Sequence, residues 1–394
     1  MNILVVHETE YIEKVIFEYQ IIPELWASWG HNVYVVDFPT KLDKKSWYDV
    51  GLFKSRIIKN VRRANKKKGV TLIRPGIIKL PVISRISASI SHYFAIKRAI
   101  KEYKIDVIFL YSVPTNGLQA VFLAKKFNIP IYFRLLDVLH LLVPNKILSL
   151  LTFLMEKSVY KRVDELTAIT PKLTEYALRM GAKRESTSYL PSGSDNDLFF
   201  PKVKDKNLVE KYHLKKSDTV VMFAGTLYNF SGLDLVLEYF AKHRQKYPHL
   251  KFFILGHGEQ SKALFEIIKK NKLHSSVFMT GFIDYRLLPQ YLNLADICIN
   301  PFAINPLTNL IFPGKIYQYL ACGKPVVATK LAGLIDIFPD NGGKNGLFYY
   351  EQKNMSDFFG QLIAIGRREI NSHELSLQQI ARLIERQLKS LSAS

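Results

Sequence analysis

Short apolar runs rich in β-branched residues alternate with stretches of helical period along nearly the whole chain. Such alternation is typical of parallel sheets built from βαβ units. The first series of predicted strands is 3–6, 33–37, 106–111, 129–134, 165–170 and 186–191, and the second is 219–225, 251–258, 276–282, 296–301, 324–329 and 346–350. The two series predict two doubly wound α/β domains with helices in the gaps between strands.

A segment rich in Pro, Gly, Ser, Asn and Asp, LPSGSDNDLFFP at 190–201, separates the two series. We expect the domain boundary there, with an N-terminal domain over 1–192 and a C-terminal domain over 193–373. The 394 residues suit two domains of about 150 to 200 residues each. The last stretch, 374–394, has the pattern of a helix that no strand follows.

The stretch from Leu139 to Val163 is apolar at helical spacing but is broken at Pro144, which predicts a helix that starts near Asn145. An apolar helical stripe packs in a core or lies at a membrane interface. We favour the core, because such stripes most often pack against a sheet.

Positive charge is concentrated in one window, 41–104, which we call the basic window. It holds 18 Lys and Arg against three acidic residues and so carries +15 of the formal net charge of +21. Its densest cluster is Arg62, Arg63, Lys66, Lys67 and Lys68. Such a block is attracted to an anionic membrane leaflet or to nucleic acid. Aromatic residues that could stack on bases are scarce after this cluster, so we expect a membrane surface and no nucleic acid. The alternative is a solvated lysine-rich face.

The remaining composition excludes several classes of protein. Hydrophobic residues make up 48% and charged residues 23%, as in globular proteins. The two cysteines, Cys298 and Cys322, form no disulfide framework and favour a reducing compartment. No basic stretch precedes the first apolar run, and no apolar run reaches eighteen residues. We therefore expect a cytoplasmic protein, peripheral at the inner membrane face.

Candidate ligand-binding residues follow the predicted strands of the second series. Ligands of open parallel sheets bind beyond the carboxyl ends of the strands, against helix N-termini. Gly225 and Thr226 end one strand, Ser231 begins the next helix, and Gly258 follows the next strand. Free backbone N–H groups there suit a phosphate, although glycine serves ordinary tight turns equally well.

The segment 304–329 carries a more specific pattern. A loop with Thr308 and Asn309 leads into a helix whose first turn contains Lys315. The helix dipole favours anions rather than cations at that end. A lysine there indicates an anionic ligand, and the alternative is a side chain that extends into solvent.

The ordered motifs of the second half are a Gly-Thr-Leu loop, G-H-G, V-F-M-T-G-F, L-A-D-I and P-G-K-I-Y-Q-Y-L-A-C-G-K-P-V-V-A-T. This set resembles the donor-binding half of the family 4 (group 1) retaining glycosyltransferases. The resemblance implies the GT-B fold, in which two Rossmann-like doubly wound parallel-sheet domains face each other across a cleft. It also implies an acceptor-binding N-terminal domain, a donor-binding C-terminal domain, and a final helix, 374–394, that packs back on the N-terminal domain.

The resemblance further implies a UDP- or GDP-linked sugar as co-substrate and no separate cofactor. The residues that would bind this donor are Gly225, Thr226, Ser231, Gly258, Phe282, Thr308, Asn309, Leu310, Lys315 and Gln318. The family's pair of glutamates is replaced by Gln318 and, seven positions earlier, by Ile311. The basic residues common in its first loop are also absent, and Lys315 or Arg286 would supply that charge.

Three residues after a strand of the first half, Arg134, Asp137 and His140, resemble the family segment that approaches the transferred sugar. A histidine in this position also serves as a hydrogen-bonded structural residue. His7 and Glu8 follow the first strand and would line the acceptor side. No D-x-D motif occurs where a metal-dependent enzyme would need one, so we expect no metal.

These observations predict a metal-independent retaining hexosyltransferase that acts on a lipid-linked or cell-surface polysaccharide acceptor at the cytoplasmic membrane face. The basic window would be its membrane contact. One alternative is a catalytically weakened nucleotide-sugar-binding subunit of a glycan assembly complex, as the replaced glutamates suggest. Another is a GT-B-like sugar-nucleotide epimerase, which would need acid and base carboxylates that the sequence does not reveal.

Overall fold

The computed structural model of the 394-residue chain describes residues 1–38, 51–52, 55–64, 67–78, 80, 83–368, 370 and 376–393. The chain divides into two compact units. Unit 1 comprises Met1–Ser192 and Leu377–Ser394, and unit 2 comprises Gly193–Ser376.

The strands alternate with helices through most of both units. The strands are β1 (Asn2–Val6), β2 (Asn32–Val36), β3 (Gly51–Leu52), β4 (Arg56–Val61), β5 (Val70–Arg74), β6 (Ile77–Ile78), β7 (Val107–Leu110), β8 (Ile131–Leu135), β9 (Glu165–Ala168), β10 (Thr187–Tyr189), β11 (Thr219–Ala224), β12 (Leu250–Leu255), β13 (Val277–Gly281), β14 (Ile297–Asn300), β15 (Val326–Thr329) and β16 (Leu347–Tyr350). The helices are α1 (Glu18–Ser28), α2 (Ile83–Tyr103), α3 (Gly117–Lys126), α4 (Lys146–Tyr160), α5 (Pro171–Arg179), α6 (Lys206–Lys211), α7 (Leu233–His243), α8 (Ser261–Lys270), α9 (Leu288–Leu294), α10 (Lys315–Ala321), α11 (Ala332–Ile335), α12 (Met355–Ile365) and α13 (Leu377–Ala393).

The sheet of unit 1 has the order β10-β9-β8-β7-β1-β2-β5-β4 and is parallel except for the β4–β5 pair. Its centre is β1, where Ile3 pairs with Val33 on one side and Val107 on the other. These side chains are buried because helices cover both faces of a parallel sheet. The strand order reverses between β1 and β7, so their carboxyl ends flank a crevice.

The sheet of unit 2 is parallel throughout, with the order β13-β12-β11-β14-β15-β16. Its order reverses between β11 and β14, and a second crevice therefore lies beyond Ala224 and Asn300. Each predicted strand is present, and the prediction of two doubly wound Rossmann-like sheets is confirmed.

Helix α13 belongs to unit 1, where it packs against α1. The indole Nε1 of Trp26 donates to the carbonyl of Ala381 at 3.0 Å. The imidazole Nε2 of His31 lies 2.9 Å from Oε1 of Glu385. Both contacts are buried and fix the register of α13 on α1. The predicted start of this helix at residue 374 lies outside the described residues.

One part of the basic window forms strands that the sequence did not predict. β4 pairs antiparallel with β5 at the sheet edge, and the side chains from Arg56 to Asn60 are exposed. One cation of the window, Arg74, is paired inside unit 1: it lies 2.6 Å from the carboxylate of Asp37 and also contacts Glu10. Lys41, Lys44, Lys45, Lys54, Lys66 and Lys79 lie outside the described residues.

Helix α4 begins as predicted, because the side chain of Asn145 accepts hydrogen bonds from the backbone of Ile147 and Leu148 at 3.0 and 3.1 Å. The expectation that its apolar stripe packs in the core is wrong. Its leucines are exposed, and its buried side carries Thr152, Glu156, Val159 and Tyr160 instead. Within the described ranges, no helix combines the length and apolar character required to cross a bilayer.

Candidate functional site

The crevice of unit 2 is formed by backbone that approaches too closely for side chains. Gly225 follows β11 with φ of +144°, and Gly256 follows β12 with φ of +132°. A methyl group on Gly256 would lie 2.0 Å from the carbonyl oxygen of Gly225. A methyl group on Gly258 would lie 2.5 Å from the carbonyl oxygen of Leu227. The loops after β11 and β12 therefore interlock through glycine backbone.

Lys315 points its ammonium group into this crevice. Its Nζ lies 3.6 Å from the ring centroid of Phe223 and 4.2 Å from that of Phe302. A methyl group on Gly225 would lie 3.3 Å from the same Nζ. The Nζ is buried and has no hydrogen-bond partner among the described residues. Burial lowers the pKa of Lys315 well below its usual value.

Helix α10 positions this lysine. The hydroxyl of Tyr319 accepts from the backbone N–H of Ala224 at 2.7 Å and donates to its carbonyl at 3.1 Å. Lys315 and Tyr319 lie four positions apart and so share one face of the helix. This face is thus tied to the carboxyl end of β11, where Gly225 follows. Gln318 is half-buried on the same helix.

Two more polar side chains at the crevice are buried without partners in the part of the chain that the structure describes. They are Ser231, whose Oγ is unpaired, and Asn300, whose amide oxygen and nitrogen are both unpaired. Gly232, which follows Ser231, packs against Pro301, which follows Asn300, since a methyl group on Gly232 would lie 1.9 Å from the Pro301 carbonyl oxygen. Unpaired buried polar groups cost about 1 to 3 kcal/mol each, which a bound ligand would recover.

The loop at 305–310 is organised by its own hydrogen bonds. The N–H of Thr308 donates to Oδ1 of Asn305 at 2.9 Å, and that of Asn309 donates to the Asn305 carbonyl at 3.1 Å. The N–H of Leu310 donates to the Leu307 carbonyl at 3.0 Å. These three backbone N–H groups therefore already have hydrogen-bond partners inside the loop. A nucleotide-sugar donor would contact the loop through other atoms.

The other predicted donor residues lie near strand ends. Thr226 is exposed directly after Gly225, and Gly258 is half-buried after β12. Phe282 follows β13 with 59% of its side chain exposed. Arg286 is exposed beyond it.

Unit 1 contains a cavity of about 180 Å³ at its own crevice. The end of β8, the segments after β1, β7 and β8, and Tyr19 of α1 line it: His7, Glu8, Thr9, Tyr19, Tyr111, Ser112, Pro114, Leu135, Leu136, Asp137, Leu139 and Leu142. Burial raises the pKa of Asp137 to about 7. Its carboxyl group can therefore hold or release a proton near neutral pH.

His7 and Glu8 enter this cavity from β1. The Nδ1 of His7 accepts from the N–H of Thr9 at 3.1 Å, which leaves the proton of the neutral ring on Nε2. That Nε2 is buried and unpartnered among the described residues. Burial, with His92 nearby, lowers the pKa of His7 to about 3, so the ring is neutral at physiological pH. Burial also raises the pKa of Glu8, although the Thr115 N–H and Arg85 oppose this.

His140 lies on the 3₁₀ turn Leu139–Leu142, beside the cavity rather than on its lining. Its Nδ1 lies 2.6 Å from Oε2 of Glu156, and its ring stacks on Tyr176 at 6.2 Å. Glu156 also accepts from the N–H of Leu139 at 2.9 Å. The structure thus places Asp137 in the cavity and ties His140 to α4.

Arg134 is fully buried and its guanidinium is satisfied inside unit 1. Its Nε lies 2.7 Å from Oε1 of Glu18, and its two amino groups donate to the carbonyls of Leu190 and Pro191 at 2.7 and 2.9 Å. This arrangement holds the end of β10 against α1. We assign Arg134 to the scaffold of the site rather than to contact with a ligand.

The sequence pattern missed Asn300, Phe223 and Phe302 in unit 2, and Tyr19 and Tyr111 in unit 1. A polar residue that ends an apolar strand, as Asn300 does before Pro301, was the available signal. The aromatic rings carried none, because buried phenylalanine and tyrosine occur in every core. Among the described residues, no cluster of three or more His, Cys, Asp or Glu side chains is arranged to hold a metal.

Two family models match the chain and together span most of it. The model described as "Glycosyl transferases group 1" matches residues 218–368, and the one described as "Glycosyl transferase 4-like domain" matches residues 25–193. The chain belongs to the group 1 (family 4) glycosyltransferases. The first match contains the crevice of unit 2, and the second contains most of unit 1.

Curated relatives of this family member are distant. A component of the Homo sapiens phosphatidylinositol N-acetylglucosaminyltransferase is 27% identical over 42% of this chain and 31% of its own length. Alpha-monoglucosyldiacylglycerol synthase of Acholeplasma laidlawii is 22% identical over 66% of each chain. The chain thus spans under a third of the first relative and just under two thirds of the second.

Solved structures resemble the whole chain. Sucrose-phosphate synthase from Thermosynechococcus elongatus has a TM-score of 0.71 and 16% identity over 100% of this chain and 96% of its own. Anabaena HepE in complex with UDP has a TM-score of 0.65 and 16% identity over 100% of this chain and 98% of its own. These likenesses confirm the GT-B fold class.

Proposed function

We propose that the protein is a retaining glycosyltransferase that uses a nucleotide sugar. Unit 2 binds the donor and unit 1 binds the acceptor. The observation that carries this proposal is Lys315, a buried lysine whose Nζ has no hydrogen-bond partner in the described structure and lies close to the glycine backbone after β11. A diphosphate is the ligand that such a cation and such a loop would hold.

The donor's diphosphate would lie at Gly225, Thr226 and Ser231, with Lys315 supplying the positive charge. Asn300 and Gln318 would hydrogen-bond its hydroxyl groups, and the base would lie near Gly258 and Phe282. The UDP bound by the structurally similar Anabaena protein supports a nucleoside diphosphate, and a UDP- or GDP-linked sugar is the co-substrate we propose.

The reaction needs no covalent step from the protein in this proposal. The bond between the anomeric carbon and the diphosphate oxygen breaks, and the acceptor oxygen bonds to the same face of that carbon. The acceptor's hydroxyl proton passes to the departing diphosphate. Lys315 stabilises the charge that develops there, so the chemistry requires no metal. Asp137 would bind sugar hydroxyls from the cavity of unit 1, and His140 would hold the turn that follows Asp137.

The acceptor is proposed to be a lipid-linked glycan or a cell-surface polysaccharide. The Acholeplasma relative is named for glycosylating a diacylglycerol, and the human relative for glycosylating phosphatidylinositol, which favours a lipid-borne acceptor. We propose the cytoplasmic membrane face as the place of reaction, with exposed cations of the basic window, such as Arg56, Lys59 and Lys68, near anionic lipid.

Release of nucleoside diphosphate from UDP- and GDP-sugars, measured with and without a bacterial lipid extract, tests this function. We expect release that depends on the extract, persists in EDTA and is lost in Lys315→Met. Proton NMR of the product should show the anomeric configuration of the donor. Nucleotide binding without turnover on any extract would instead favour a catalytically weakened binding protein of a glycan assembly complex.

A further inference from the structure

Helix α4 exposes an apolar stripe along its first two turns, while its buried side carries Thr152 and Glu156 together with Val159 and Tyr160. Ile147, Leu148, Leu150, Leu151 and Leu154 are 46 to 72% exposed. Ile147, Leu150, Leu151 and Leu154 follow the spacing i, i+3, i+4, i+7 and so form one stripe along the helix. Single exposed leucines are ordinary, but a continuous apolar face marks a surface that contacts something else.

The helix cannot roll over to bury this face, because Glu156 fixes its orientation. The Glu156 carboxylate lies 2.6 Å from Nδ1 of His140 and accepts from the hydroxyls of Tyr160 and Tyr176 at 3.2 and 2.9 Å. The N–H of Leu139 donates to it at 2.9 Å. Turning the leucines inward would expose these groups and break the whole network. The outward apolar face is therefore built into unit 1.

The exposed charges on α4 and on the turn that follows it have one sign. The exposed charged side chains on α4 and the turn after it are Lys146, Lys157, Lys161 and Arg162. The helix contains a single acidic residue, Glu156, and it is buried. A second copy of this chain would bring the same cations and a net charge of +21, so the two faces would repel. An anionic lipid surface complements both the cations and the leucines.

We propose that the α4 face docks in the plane of an anionic bilayer, with its leucines at the boundary between headgroups and acyl chains. Helix α4 has 15 residues and is about 22 Å long, which is too short to span a bilayer but suits an interfacial helix. This surface is distinct from the basic window, because it is apolar at its centre and basic only at its ends.

Docking also brings the cavity of unit 1 to the membrane. Leu142 is exposed beside the stripe, and it lines the cavity together with Leu139 and Asp137. The docked face therefore adjoins the cavity, and a headgroup at the lipid surface can enter it. That a lipid-borne acceptor would use this route rests on the proposed function. The docking of α4 on a bilayer does not depend on it.

Vesicle flotation tests the proposal, using phosphatidylcholine vesicles with and without phosphatidylglycerol. The test variant is Leu150→Glu/Leu154→Glu, and Leu150→Ser/Leu154→Ser repeats it without added charge. The matched control is Phe265→Glu/Ile363→Glu, which replaces two exposed apolar residues of unit 2. We expect wild type and control to float with the anionic vesicles, and both test variants to partition at least about tenfold less. Circular dichroism should show unchanged melting.

Three results would overturn the proposal. The first is that wild type and test variants float equally and that high salt removes all of this binding. The basic window would then make the membrane contact, and the proposed function would stand. The second is a wild-type dimer that the test substitutions dissociate, with no vesicle binding. The third is no flotation of any protein. Nucleotide-induced thermal shifts on the same preparations report on the donor site independently of all three.

Discussion

The ammonium group of Lys315 lies against the face of the Phe223 ring, with its Nζ 3.6 Å from the ring centroid. The ring's negative face attracts a cation, but it does not replace the hydrogen bonds that the ammonium group gave up on burial. Holding the charge in the ligand-free protein therefore costs stability, and burial lowers the pKa of Lys315 accordingly. A phosphate that paired with the ammonium group would recover that cost.

Lys315→Met should separate the stability of unit 2 from its ligand affinity. Methionine keeps the apolar stem and removes the unpaired charge, so we expect the melting temperature of the free protein to stay equal or rise. Affinity for the nucleoside diphosphate should fall at least about tenfold, because one charge-assisted hydrogen bond is lost. Isothermal titration calorimetry measures the affinity. A lower melting temperature with unchanged affinity would make Lys315 a structural residue.

Gly256→Ala should disrupt the crevice of unit 2. Its methyl group would lie 2.0 Å from the Gly225 carbonyl oxygen, and φ of +132° disfavours any side chain. We expect a loss of about 2 kcal/mol or more in unfolding free energy and loss of nucleotide binding. Gly360→Ala is the control, because it lies in α12 with no atom within 4 Å of the new methyl.

That control should stabilise the protein by about 0.5 to 1 kcal/mol, since alanine favours a helix over glycine. Urea unfolding with both variants measures the two effects. Equal changes in unfolding free energy for Gly256→Ala and Gly360→Ala would refute the close approach of the loops after β11 and β12.

Asp137→Asn should change stability in a pH-dependent manner. Burial raises the pKa of Asp137 to about 7, against 3.8 for an unperturbed side chain. Between these pH values the folded protein holds a proton that the unfolded chain has released, so wild-type stability falls as the pH rises from about 4 to about 7. The asparagine variant avoids this loss.

We expect Asp137→Asn to exceed wild type by about 1 to 3 kcal/mol at about pH 8 and to match it at about pH 4. Urea unfolding across this range measures the difference. A difference that does not vary with pH would show that the carboxyl group is not buried as described.

Glu385→Gln should loosen α13 from unit 1. Burial raises the pKa of Glu385, but hydrogen bonds from Lys389, His31 and Arg382 outweigh it and lower the pKa to about 2. The lowered pKa stabilises the fold above about pH 4.5, and this contribution disappears as the pH falls toward 2. We expect the variant to lose about 1 to 3 kcal/mol at neutral pH.

The control for this substitution is Glu351→Gln, whose ion pair with Lys330 is 2.9 Å long but exposed. An exposed pair contributes at most about 1 kcal/mol. Thermal melts at neutral and acidic pH compare the two variants. Equal losses, or a Glu385→Gln deficit that persists at low pH, would contradict the buried ion pair.

The sequence predicted the sheets because both are parallel. Strands buried on both faces are continuous apolar runs, as in β1 and β11, and such runs stand out between helical segments. β4 was missed because it is an exposed edge strand, whose run Arg56 to Asn60 alternates neither in polarity nor in burial. Local pattern carries no signal for a strand of this kind.

The candidate site was predicted only in part, because its contacts join residues far apart in the chain. Lys315 stood out by its place at a helix N-terminus, whereas the rings of Phe223 and Phe302 that surround it were not predictable. Helix α4 was placed correctly along the chain but not in space. The apolar stripe gave no indication of the hydrogen-bond network at Glu156, which orients the stripe toward the surface.

A thermal-shift screen tests the central claim most directly. Wild type and Lys315→Met would be melted with UDP, GDP, ADP, CMP and their common sugar conjugates, since a ligand of the native state raises its melting temperature. We predict a clear rise in the melting temperature of wild type with either UDP or GDP and with the sugar conjugates of that nucleotide. We predict little or no rise for Lys315→Met. No rise with any nucleotide, or an equal rise in both proteins, would contradict a donor site built on Lys315.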